Sequence, residues 1–557
     1  MQSIAEAMQH FAAATELYDA DDAELDHTAR AVQEREARTG FERCLASLAL
    51  VLGDEPSHKL EELHTLAAGA GGGGSAAGGS DDEMMRELTL LRSEAHRKCA
   101  SLLEKGVLGD TWPERQARMR SAHFHYLRAL VAVPTNVEAR SGLAALLRLH
   151  ADGLGTQLAP ERALQLYDEA LRLILEQCES DPVPWPICDE DETLCETVRR
   201  KLALLLLQQP PASAGTALPE ADGLLRQQDF KVRLSPELLC HRAMEQAGPA
   251  PAAADDGGDL LRVVDDALSA GVIARLRKLF SATAPFWSEH GYDTLHLHSR
   301  SYFSYLHPLE DCIAGAQASR ANLMGQVIAA VYKLVCERWP HVQNARYAEW
   351  WAHCRPHSSG HQMHFDSEDE GQGELRHPIV STVLYISDRG GPTLITSQLP
   401  GDQHVCTKAF VAFPKANRLV AFDGRRLHGV IPGHGAVHDV VREGSSHRIS
   451  VMIAFWADVK RKAQVHEDGS AGASHPWPGP SSAANWHRAF DRSVDGSLQG
   501  DSPADVSPQP VSALWEPVLG DADGAGAGGS TSKSFVEALG WKKQVALPHY
   551  EQCFTGT

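Results

Sequence analysis

The chain has 557 residues, 43% of them hydrophobic and 22% charged, and a net charge of −21. That length exceeds one ordinary core, so two or three domains joined by linkers are expected. No apolar run of roughly eighteen residues occurs, and the start lacks a basic stretch followed by an apolar one, so neither a membrane span nor a secretory leader is expected and the cytoplasm or nucleus is the expected location.

The eleven cysteines are scattered without a CxxC pair, which argues against a disulfide framework and against a zinc ribbon. The acidity is uneven. Asp259 to Lys462 holds 22 Lys and Arg against 20 Asp and Glu, a net +2, so the flanks carry −23. Acidic flanks disfavour nucleic acid as a partner and leave the middle region undecided.

In chain order, the front segment (1–246) reads as α-helical. In "AHFHYLRALVAVPTNVEARSGLAALLRL", Phe124, Leu127, Leu130 and Val131 share one stripe, Pro134 stops the helix, and a second stripe starts after Asn136. Tyr126, Ala129 and Leu130 recur as Tyr167, Ala170 and Leu171, and Phe41 with Cys44 offers a looser copy. These pieces resemble tetratricopeptide repeats, stretched beyond their period of about 34 residues. A plain helical bundle is the alternative. Gly-rich runs at 69–80 and 247–258 read as flexible linkers.

The middle segment (259–463) opens with two helical stretches, "LSAGVIARLRKLFSATAPFW" and "NLMGQVIAAVYKLVCERW". Short apolar runs follow: "ARYAEWWAHC", "IVSTVLYISD", "TKAFVAFP", "RLVAFD" and "RISVMIAFW". Such runs between turn residues predict a β-sandwich or jelly roll with helices outside it. A Gly-, Ser- and Pro-rich tail (467–533) is expected to be mostly disordered, followed by a short segment (534–557).

The stretch "GHQMHFDSEDEG" lies between the first two strand runs. Alternation points His364 and Asp366 to one face, which supplies two of the three ligands of a two-histidine, one-carboxylate metal site. His428 follows the strand "LVAFD" and is the candidate third ligand. Arg448 and Ser450 alternate on the last strand, where a guanidinium and a hydroxyl could clamp a carboxylate.

The order His-x-Asp, distal His, Arg-x-Ser resembles the Fe(II)/2-oxoglutarate-dependent dioxygenases, in their prolyl-hydroxylase-like branch. The resemblance spans about Leu260 to Trp456 and includes "STVLYISDRGGPTL". It implies a double-stranded β-helix domain behind a helical array. His364, Asp366 and His428 would hold Fe(II), and Arg448, Tyr385 and Ser450 would bind 2-oxoglutarate. O2 would be the oxidant, with ascorbate a candidate reductant. Asp366 favours hydroxylation over halogenation. Arg448 stands where the collagen-modifying enzymes carry lysine, and "GGPT" differs from their Gly-Gly-Glu-Thr.

The implied function is hydroxylation of a peptide or protein, with proline a candidate; the alternative is oxidation of a small metabolite or a nucleobase. The remaining polar residues have plainer readings. The acidic run 367–370 is expected to be a solvated loop. His296 with His298 and His466-Glu467-Asp468 are expected to be unrelated to metal. His357 and His361 flank the site, and Tyr347, Trp350 and Trp351 are expected to pack the sheet.

Overall fold

The computed structural model describes residues 2–20, 27–52, 80–105, 112–155, 165–173 without 167, 189–208, 214–241 without 229, 244, 260–317 without 291 and 293–302, 322–356, 360–368, 376–433 without 401 and 403–405, 447–459, 474–478, 486–491, 497–518 and 554–556. It divides into two compact units, Met1–Gly153 with Glu161–Val198, and Leu154–Pro160 with Arg199–Thr557. The fold is mixed, with α-helices and mainly antiparallel sheets.

In the first unit, α1 (Gln2–Asp19), α2 (His27–Leu52) and α3 (Ser80–Lys105) share one apolar core. Small residues let α1 and α2 approach closely: Ala7, Ala14 and Ala37 are buried, and a Cβ on Gly40 would stand 2.7 Å from that of Ala14. Phe41 and Cys44 are fully buried in this core. The helix α4 (Trp112–Ala132) ends before Pro134, which cannot continue it, and α5 (Val137–Gly155) begins after Asn136, whose Oδ1 accepts from the Ala139 amide at 2.9 Å. The hairpin break falls where the sequence places it. Tyr126 packs against Gly142, where a Cβ would meet its ring at 2.5 Å, and its hydroxyl donates to Glu104 at 2.9 Å. Tyr167 lies outside the described residues, as do the Gly-rich linkers apart from Ser80, which opens α3.

The second unit takes in α6 (Asp189–Leu207) from Arg199 onward, α7 (Ala214–Arg226), β1 (Phe230–Leu234) and α8 (Pro236–Cys240). Then come β2 (Leu261–Asp265), α9 (Ala270–Leu279), α10 (Pro285–Glu289), β3 (Ser304–Pro308), α11 (Leu309–Gln317) and α12 (Leu323–Arg338). The strands that follow are β4 (Tyr347–Pro356), β5 (His361–His364), β6 (Val380–Tyr385), β7 (Thr393–Thr396), β8 (Ala409–Ala412), β9 (Leu419–Asp423), β10 (His428–Val430) and β11 (His447–Trp456). Every strand and helix expected in the middle segment is present.

Two of the three sheets in this unit carry the strands of the middle segment. The larger has the order β12-β3-β4-β11-β6-β9-β2-β13 and the smaller β14-β8-β7-β10-β5. Here β12 (Ser474–Pro476), β13 (Ala504–Val506) and β14 (Gln509–Pro510) are tail strands. Along β11, Ile449, Val451, Ile453 and Phe455 share a core with Leu276 of α9 and Val327 and Val331 of α12. Met452 turns the other way and joins Val383, Val420 and Phe422 against Ile395, Phe410 and Ala412 of the smaller sheet. Both faces of β11 are covered, so it is buried from end to end.

Two boundary expectations change. Among the described tail residues, Trp486 and Phe490 enter the helix-side core, and β13 extends the large sheet beside β2. The front region also reaches further forward than a helical array, because β1 pairs with β15 (Trp515–Pro517) and β16 (Phe554–Gly556). Arg233 of β1 is almost fully buried and bonds Asp222 at 2.8 Å and Glu516 at 2.9 Å. Gly- and Pro-rich composition hides this, because isolated apolar residues such as Trp486 and Leu514 bind the tail in place without any periodic run. Among the described residues, no helix is long and apolar enough to cross a membrane.

Candidate metal centre and its cleft

His364 closes β5 and His428 opens β10, and the antiparallel register sets them directly opposite each other. Asp366 follows two residues after His364. Its Oδ1 lies 3.6 Å from His364 Nε2 and 3.8 Å from His428 Nε2, and one ligand atom from each residue falls within 4.8 Å of the others. Among the described residues this is the one such group of three. Donors this close converge on a volume suited to a single ion.

The side chains are oriented by their neighbours. His428 Nδ1 donates to the Arg426 carbonyl at 2.9 Å, which leaves the Nε2 lone pair directed at the site. Ser381 donates to Asp366 Oδ2, and His377 Nδ1 donates to the Asp366 carbonyl at 2.6 Å. Burial acts to raise the Asp366 carboxyl, but His428, His364 and the Ser381 hydroxyl outweigh it and hold the group far below the usual carboxylate range. Burial and the neighbouring His364 push His428 down to about 4, against the pull of Asp366. At neutral pH His428 and Asp366 are therefore in the states that ligate a cation, a neutral imidazole and a carboxylate.

A cleft of about 640 Å³ extends from this group. At its far end lies Arg448, 7% exposed, whose Nη2 donates to Thr393 Oγ1 at 3.0 Å and whose Nη1 donates to Ser450 Oγ at 3.2 Å. Its guanidinium carbon sits 5.1 Å from the centre of the Tyr385 ring. The Tyr385 hydroxyl lies 2.5 Å from Thr393 Oγ1 and donates to the Ala412 carbonyl at 3.0 Å. Tyr385 and Ser450 thus stand behind Arg448 and fix it, while Arg448 and Thr393 face the cleft. Burial pulls the Arg448 guanidinium below its ordinary range. Among the described residues, no carboxylate pairs with it.

The Gly390-Gly391 turn is a steric requirement of this arrangement. Gly390 has φ of +100°, and a Cβ there would meet the Arg448 side chain at 2.6 Å; one on Gly391 would strike the Ile431 carbonyl. All six sequence candidates, His364, Asp366, His428, Arg448, Tyr385 and Ser450, therefore come together around one cleft. Thr393, Ser381, His353 and Arg355 also belong to its lining and were not legible in advance. Thr393 had a signal, since it stands two residues past the glycine pair in "GGPT".

The secondary expectations divide. His361 lines the cleft, its ring 4.6 Å from that of His364. Trp350 packs in the helix-side core as expected, but Trp351 faces the cleft. Within the acidic run, Glu368 departs from the solvated-loop reading: it is 4% exposed, pairs with Arg376 at 3.7 Å, and its amide donates to the Arg376 carbonyl at 3.0 Å. Asp369, Glu370, His357, His296, His298 and residues 466–468 lie outside the described residues. No protein-family model matches the chain, and no curated protein sequence matches it.

Proposed function

We propose that the second unit is a double-stranded β-helix oxygenase that uses Fe(II) and 2-oxoglutarate to hydroxylate a peptide or protein, with proline a candidate residue. The observation that carries this reading is the pairing, within one cleft, of a His-Asp-His ligand group with a buried arginine that has no carboxylate partner among the described residues. A buried guanidinium is costly unless an anion meets it, so its isolation points to an anionic ligand. The donor set of two nitrogens and one oxygen fits Fe(II) and leaves coordination positions open.

Iron held there would supply what side chains lack, the use of O2 to convert R–H and 2-oxoglutarate into R–OH, succinate and CO2. The protein's own residues do the rest. Arg448 offers two donors in a fixed fork to the distal carboxylate, and Thr393 and Ser450 hold that fork in plane. Tyr385 supports the arginine from below. Trp351, Met452, Val383 and Phe422 keep the metal end apolar and limit water there. His428 and Asp366 enter the cycle already deprotonated, so neither has to lose a proton before the ion binds.

A peptide substrate is supported by the separate helical unit. Its helices form a connected core and a capped hairpin, the type of element that repeat arrays stack into concave peptide-binding surfaces. Anaerobic loading with Fe(II) and 2-oxoglutarate, then O2, tests the chemistry by succinate formation. A panel of peptides and nucleosides, searched for products one oxygen atom heavier, tests the substrate class. No succinate under any of these conditions would refute the reading.

A further inference from the structure

Neighbouring strands β4 and β11 meet in a register that grades the cleft from apolar to cationic. Trp351 stands opposite Met452, His353 opposite Ser450, and Arg355 opposite Arg448. Like charges directly across a sheet repel each other. Burial holds His353 well below its ordinary value, and Arg355, Arg448 and His364 push it the same way, so it is neutral and offers the arginines no charge compensation. Among the described residues, neither arginine has a carboxylate partner.

The two guanidinium groups have separate anchors. Arg448 Nη2 is anchored on Thr393 at 3.0 Å, and Arg355 Nη1 on the Gly360 carbonyl at 3.4 Å. Gly360 precedes His361, which pairs with Val430, which in turn pairs with Thr393. Their anchors therefore lie on strands two places apart, roughly 10 Å. Two separately anchored guanidinium groups can meet two carboxylates. Arg448 is buried with its hydroxyl partners, whereas Arg355 is half-buried.

Resting on the oxygenase reading, in which 2-oxoglutarate takes Arg448, we propose that Arg355 binds a carboxylate of the primary substrate and so selects acidic peptides. The carboxylate can come from an Asp or Glu side chain or from a peptide C-terminus. A charge-assisted contact of this kind discriminates by about tenfold to a hundredfold.

The test uses calorimetry on the full chain loaded with Mn(II). A first titration with 2-oxoglutarate compares wild type, Arg448→Gln and Arg355→Gln. A second, at saturating 2-oxoglutarate, compares three peptides of one apolar sequence around a proline: amidated and neutral, amidated with one Glu, and neutral with a free C-terminus. The expected result is that Arg448→Gln weakens 2-oxoglutarate at least about tenfold and Arg355→Gln far less. At least one carboxylate peptide then binds wild type about tenfold more tightly than the neutral one. That preference disappears in Arg355→Gln and partly returns in Arg355→Lys, and the preferred peptide identifies the source of the carboxylate. Equal binding of the three peptides, or the absence of binding by all of them, overturns the assignment. So does equal weakening of 2-oxoglutarate by the two Gln variants, which would make both arginines co-substrate ligands. If wild type fails to bind 2-oxoglutarate at all, the oxygenase reading itself has failed, and the first titration shows this before any peptide is added.

Discussion

At one end of the cleft, a carboxylate sits between two imidazoles and accepts a serine hydroxyl; at the other, the described residues meet two guanidinium groups with hydroxyls, a carbonyl and the Tyr385 ring but no carboxylate. The first end is electrostatically provided for by the protein, because Asp366 is stabilised as an anion even when buried. The second is not, and Arg448 is destabilised by the burial that Asp366 tolerates. The difference teaches where ligands belong. A set of converging donors can persist empty, whereas a buried cation without a counter-ion marks a place where the protein gains most by binding an anion.

The largest effect should come from the metal end. Asp366→Ala removes one of three ligands and should lower metal affinity by more than about a hundredfold, with succinate formation lost. Circular dichroism should show the fold retained. Full succinate output from this variant would remove the distinction between the two ends.

At the cationic end, Arg448→Met should separate stability from binding. It should raise the apparent 2-oxoglutarate constant about ten- to a hundredfold and leave the metal constant unchanged. Replacing a buried, uncompensated charge by an apolar chain should also leave the ligand-free protein as stable or up to about 4 kcal/mol more stable. Thermal unfolding with and without 2-oxoglutarate reads both effects, and a strongly destabilised ligand-free variant would show that the arginine is compensated after all.

A histidine outside the cleft gives a calibrated contrast with the ligands. Trp350 Nε1 donates to His307 Nε2 at 3.2 Å, and burial pushes His307 down to about 4. The unfolded chain therefore binds a proton that the folded chain refuses as pH falls from the ordinary value near 6.5 towards 4. Stability is fully present above that window and is lost through it, by about 2 kcal/mol at a pH of about 5. His307→Gln should flatten this part of the urea-denaturation profile. An unchanged profile would show that His307 is charged when folded.

The smallest effect is expected at Ser381. Ser381→Ala leaves the three ligands in place but removes the hydroxyl donor to Asp366. Metal affinity should fall about tenfold, the lower range for groups that orient ligands, while 2-oxoglutarate binding to the metal-loaded protein is unchanged. A loss as large as that of Asp366→Ala would mean that the hydroxyl is itself a ligand.

By itself the sequence determined the local elements and the identity of the polar residues at stake. Pro134 and Asn136 mark a helix end and a helix start through backbone chemistry that needs no distant contact. The apolar runs that became β4, β6, β8, β9 and β11 carry β-branched or aromatic residues and are bounded by turns. Alternation along β11 sets Arg448, Ser450 and Met452 on one face, whereas Asp366 stands two residues past the end of β5 and joins His364 from outside the strand. Only the tertiary structure decided which of these faces meet. The register of β10 on β5 put His428 opposite His364, and that of β11 on β4 put Arg355 opposite Arg448, across separations of 64 and 93 residues that no local pattern encodes. Tail residues Trp486 and Phe490 carried no periodic signal, because each enters the core as an isolated side chain from an irregular segment. Register is set by the sum of many side-chain contacts across a sheet, so it exists only once both strands are in place.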